Sequence, residues 1–163
     1  MAVQIPAHHP PCSTQLQRGM KKPFLLLTTS LVLAFNSLTA SAQGVPTIED
    51  LKKVTDAAME KVGKGDVEGG MKAFRHLTLV PKSEFDTMLG QTMLQLPMLT
   101  GRFGASLGHE FIEEKRVGAS LVRLTYIHKF DVHATRWYFF GYRGKDGWAI
   151  NTFRFDDKVQ DMF

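Results

Sequence analysis

The stretch Val122–Val132 places side chains of chemical interest on one face. Read as a strand of period two, it sets Val122, Leu124, Tyr126, His128, Phe130 and Val132 on one side. Arg123, Thr125, Ile127, Lys129 and Asp131 fall on the other. The apolar side thus carries two polar tips, Tyr126 and His128, one strand step apart. A phenol and an imidazole projecting into an apolar cavity could polarise a carbonyl or relay a proton, which makes these two the catalytic candidates. No carboxylate shares that face to fix the histidine tautomer, as acid–base catalysis usually requires. The competing reading is a core histidine with its hydrogen bonds satisfied, and the pattern leans that way.

Other constellations carry less. His109-Glu110-Phe111-Ile112-Glu113 resembles H-E-x-x-H, but its last position is Glu113 and its periodicity is strand-like. A zincin needs both histidines on one helical face. Convergence of His109, His128 and His133 is the one remaining zinc alternative, so no metal and no cofactor are expected. Met88, Met93 and Met98 recur every five residues. Each step turns about 140° on a helix, so the thioethers diverge and read as core filling. Gly101-x-x-Gly104-x-x-x-Gly108 lacks the Lys-Ser/Thr ending of a phosphate loop and reads as a loop beside the cavity.

The aromatics are concentrated. Trp137, Tyr138, Phe139, Phe140, Tyr142, Trp148, Phe153 and Phe155 lie in two late runs of the chain. Such a wall suits either a ring-bearing ligand or cross-strand packing, with one face as core and the other as a dimer contact. The expected ligand pocket comprises Tyr126, His128, Phe130, Trp137, Phe139 and Trp148.

The elements that must position these residues follow a leader. Met20–Ala42 has Lys21-Lys22, an apolar run from Phe24 to Leu38, and Ala40-Ser41-Ala42. These are the three parts of a secretory signal peptide, with cleavage expected before Gln43 and a periplasmic or secreted destination. The run is shorter than the roughly 20 apolar residues of a membrane span, so no stable anchor is expected after cleavage. Residues 1–19 read as a polar extension, or as an over-extended start with Met20 the true initiator. Of 20 Lys+Arg, Arg18, Lys21 and Lys22 precede Gln43, whereas all 16 acidic residues follow it, leaving 17 cations against 16 anions, or +1. That balance gives no basis for nucleic-acid binding. The single cysteine, Cys12, precedes the leader, so residues 43–163 have no disulfide and must fold by burial alone.

Within 43–163 one α+β domain is expected. Thr47 with Asp50 caps a helix whose Ile48, Leu51, Val54, Ala58 and Val62 share a face, and Gly63 and Gly65 stop it. Asp66 caps a second helix presenting Val67, Met71, Phe74 and Leu77, weakened by Gly69-Gly70. A third begins near Ser83 with Phe85, Met88, Leu89, Thr92, Met93 and Leu96 inward, and Pro97 is expected to end it. Four strands follow, at 109–117, 120–132, 135–143 and 147–156, with a hairpin at Gly144-Lys145-Asp146-Gly147. Helices first and a four-strand antiparallel meander after them give helices packed on one face of a curved sheet.

Gly65-Asp66 opening a helix, and the late pattern Trp137-x-Phe139…Tyr142-Arg143…Asp146-Gly147-Trp148-x-Ile150…Phe153-x-Phe155, resemble small secreted members of the NTF2-like (cystatin-like fold) superfamily. The resemblance implies a strongly curved sheet wrapped around helices as a cone with an apolar cavity. It implies no single activity, since that fold hosts isomerases, dehydratases, carriers and dimerisation modules. The expectation is a non-catalytic domain that binds a small apolar ligand or a protein partner. The alternatives are an isomerase or dehydratase using Tyr126 and His128, and a homodimeric structural module.

Overall fold

The computed structural model describes residues 44–163; the leader and its cleavage site lie outside the described residues. Helix α1 runs Ile48–Gly63. The Thr47 hydroxyl accepts from the Asp50 amide at 3.1 Å and donates to the Asp50 carboxylate at 2.8 Å, so aspartate completes the cap. Asp66 caps α2, Val67–Phe74, by accepting from Gly69 N at 2.8 Å. The two glycines that weaken α2 as a helix serve contacts. A Cβ at Gly70 would stand 2.5 Å from Val62 Cγ2 and 2.8 Å from Ala58 O, and one at Gly69 would strike the Asp66 carboxylate.

Helix α3 spans Lys82–Phe103, and here the expected stop at Pro97 is corrected: the helix passes through it. A proline in a helix interior leaves the Met93 carbonyl without its amide donor and costs about 3 kcal/mol. Burial beyond it offsets that cost. Phe103 is buried against Phe130 and His133, with ring centroids 5.7 and 4.4 Å away. The helix end is clamped to the turn at Asp131 and Val132, where Val132 N donates to Phe103 O and the Asp131 carboxylate accepts from Ala105 N. Gly101 is therefore helical, Gly104 is the C-cap and Gly108 is in a strand, which corrects the expected loop over Pro97–Gly108.

The sheet is an antiparallel meander β1–β2–β3–β4, over Ser106–Val117, Leu121–Phe130, Ala134–Gly144 and Gly147–Asp156. Val132, expected in β2, sits in the turn and is exposed. Register shifts at Ser106/Gly108, Phe111/Glu113 and Phe140/Gly141 bend the strands. The result is an α+β fold, three helices and then a curved four-stranded sheet, consistent with a helix-plus-sheet cone. In the β3–β4 hairpin the positive φ of 108° falls on Gly147 rather than on the two turn residues. The β4 edge is paired by Val45 to Trp148 and Thr78 to Ile150, which protects it from further strand addition.

One core joins the helices to the inner sheet face: Leu51, Met59, Met71, Phe74 and Phe85 meet Leu124, Tyr126, Trp137, Phe139 and Phe153. The outer face is covered differently. Tyr138 is buried beneath the guanidiniums of Arg123, Arg136 and Arg154, which lie 5.2, 5.3 and 4.9 Å from its ring.

Candidate functional site

Tyr126 lies mid-β2 with α1 across it. Its hydroxyl donates to Asp56 Oδ1 at 2.8 Å and lies 2.7 Å from Thr55 Oγ1. Lys52 Nζ reaches the same carboxylate at 2.7 Å and rests 4.2 Å above the Phe111 ring. The Tyr126 ring packs edge-on to Phe111 and Phe139. Burial, with the Asp56 hydrogen bond and charge adding to it, pushes the phenol well above its usual range despite the Thr55 hydroxyl. This phenol keeps its proton at any physiological pH. It ties α1 to the sheet.

His128, two residues along, meets no carboxylate in the contacts described. Its Nε2 lies 2.6 Å from Ser106 Oγ, and that hydroxyl donates to Gly63 O at 2.7 Å. Ser106 has one proton. With it on the carbonyl, Nε2–H must be the donor to Ser106 Oγ, which fixes a neutral tautomer. Burial, with His109 adding a smaller effect, lowers the imidazole to about 4. The ring also lies 4.0 Å from that of Phe130. A histidine this weakly basic, with its serine directed at a backbone carbonyl, is a poor general base for that serine.

The expected pocket residues divide. Tyr126, His128, Phe130, Trp137 and Phe139 are all buried in packed layers: Phe139 against Phe74, and Trp137 against Phe155 at 4.4 Å and 15°. Trp148, also buried, contributes to a cleft of about 230 Å³ beside Ile48, Arg116 and Arg143. Of the three methionines on α3, Met88 and Met93 pack against the core and Met98 is exposed. His109 pairs across the sheet with His128, whereas the His133 ring lies tilted beside that of Phe103. Among the described residues, no group of three His, Cys, Asp or Glu could hold a metal ion. Among them, too, no helix is long and apolar enough to cross a membrane.

A second open space lies where α3 leaves the sheet. A groove of about 280 Å³ separates the last turns of α3 from the ends of β3 and β4. Met98, Leu99 and Phe103 form one wall and Phe155 the other, with Thr135 at the base. Arg102 and Asp157 stand at the rim, 3.6 Å apart. Asp156 is neutralised by Arg136, Nε to Oδ1 at 2.5 Å; burial opposes this, yet the carboxyl remains below its usual range. Thr135 Oγ1 accepts from Trp137 Nε1 at 3.3 Å. Thr135, Arg102, Asp156 and Asp157 are thus partnered within the protein, Gln95 completes the lining, and Met98, Leu99, Phe103 and Phe155 supply its apolar surface.

The chain matches no known family, no curated protein and no solved structure. Its function has to be read from these side chains alone.

Met98, Leu99 and Phe103 do not stand out together in the sequence because Pro97 reads as a helix end. The signal was present. Thr92, Leu96, Leu99 and Phe103 continue the 4-3-4 apolar spacing through the proline.

Proposed function

We propose that this protein is an exported, NTF2-like binding domain without catalytic activity, and that a small apolar, ring-bearing ligand occupies the groove between α3 and β4. The carrying observation is the pairing of that apolar groove with fully committed polar tips elsewhere. Tyr126 and His128 bond to Asp56 and Ser106 inside packed layers, whereas the space beside Phe155 and Leu99 is open, with Met98, Leu99, Phe103 and Phe155 as its apolar surface and Gln95, Arg102, Thr135, Asp156 and Asp157 around them. Concave, mainly apolar sites with a few polar rim groups are the usual setting for small-molecule binding. Phe155 stacks on Trp137, so occupancy should register in tryptophan emission.

The neutral ring-bearing probe N-phenyl-1-naphthylamine tests this. Saturable binding that perturbs tryptophan emission and raises the melting temperature is expected, since a ligand at a hundredfold excess over Kd stabilises by about 2.7 kcal/mol. Leu99→Asp should weaken it at least about tenfold, the cost of placing a charge in an apolar wall. Equal probe affinity in Leu99→Asp and wild type would refute the assignment.

A further inference from the structure

Helix α3 carries an exposed row along its outer side. Asp86, Gly90, Leu94, Met98 and Arg102 follow one another at four-residue intervals, and all five are exposed. Leu94 is 84 % exposed and Met98 72 %, the two highest values among the large apolar residues within the three helices. A Cβ at Gly90 would meet no atom within 4 Å, so nothing within the chain calls for a glycine there.

The row is complementary to itself when reversed. Centred on Leu94, Gly90 mirrors Met98 and Asp86 mirrors Arg102. An exposed thioether is thereby matched with a notch of the same offset, and a carboxylate with a guanidinium. We infer that α3 docks on α3 of a second copy of this chain, antiparallel, about a two-fold axis at Leu94. The roughly 50° crossing typical of four-residue ridges would lay the two rows side by side. A two-fold contact of this kind is isologous: each complementary pair occurs twice. Leu94 would meet its own copy, Met98 would enter the partner's notch at Gly90, and Arg102 would face the partner's Asp86. The existing partners of these charges, Lys82 for Asp86 and Asp157 for Arg102, are exposed surface pairs that exchange at little cost.

Met98 and Arg102 also border the groove, whereas Asp86, Gly90 and Leu94 do not, so Leu94→Asp tests the contact between copies while leaving the groove lining intact. The experiment measures molar mass by sedimentation over a series of protein concentrations up to about 100 μM. Wild type should approach the mass of two chains. Leu94→Asp should remain a single chain with an unchanged melting temperature for the monomer, since Leu94 touches solvent. Asp86→Lys, which sets two cations against each other twice, should weaken association at least tenfold, and adding Arg102→Asp should restore it. In a Cys12→Ser background, Leu94→Cys should form a disulfide between two chains under mild oxidation. A single-chain mass for wild type throughout the series would overturn the inference. So would a dimer that survives Leu94→Asp, or a charge swap that fails to rescue.

Discussion

At the scale of single residues, Tyr126 and His128 turn similar positions into two different ties. The Tyr126 hydroxyl joins β2 to Asp56 and Thr55 of α1. Tyr126→Phe keeps the ring and strands those partners. It should lower stability by about 1–2 kcal/mol in denaturant titration while leaving probe affinity unchanged. His128 gives a pH signature. Its folded value is depressed to about 4 from 6.5, so the unfolded chain binds the extra proton between those two values. The contribution is fully present above pH 6.5 and is lost as pH falls through about 4, on the order of 2–3 kcal/mol for one buried imidazole. Stability measured across that window should fall with acid in wild type, and His128→Gln should flatten the slope. These positions also mark what the sequence could tell. Period two put both tips on the buried face, and it could not supply Asp56, Thr55 or Ser106, which come from other elements through contacts 70, 71 and 22 residues distant in sequence.

At the scale of elements, α2 and α3 show tertiary contacts overriding local propensity in opposite ways. The two glycines of α2 look like defects in the sequence, yet Gly70 allows α1 to pass at backbone distance. Gly70→Ala should destabilise by about 1–3 kcal/mol through overpacking against Val62 and Ala58 O, despite its better helix propensity. In α3 the proline looks like an end, yet Leu99 and Phe103 beyond it face the protein. Pro97→Ala would return an amide to the Met93 carbonyl. It should raise the melting temperature, by an amount below the roughly 3 kcal/mol that an interior proline costs. The strands were legible to within a few residues because alternation and the Asp146-Gly147 turn are local signals. The end of α3 was not, because the burial of Phe103 and the Asp131 clamp are non-local.

At the scale of the whole molecule, a domain of these dimensions without disulfides must spend its large side chains on one core. That explains why Trp137, Phe139 and Phe153 of β3 and β4 pack against the helices, while a groove opens at the edge where α3 meets β4. Sequence patterning identified the aromatic layer and the fold class. Whether a layer is lined by solvent or by another helix depends on where α3 lies, and no local pattern encodes that. In the proposed function, ligand enters at the α3–β4 edge rather than between the helices and the sheet. Methionine methyl NMR tests it directly, since Met98 borders the groove while Met59 and Met71 are fully buried in the core. With N-phenyl-1-naphthylamine added, saturable shifts of the Met98 methyl and little change at Met59 and Met71 are expected. Large shifts at Met59 and Met71 with a silent Met98 would place the ligand inside the cone and contradict that expectation.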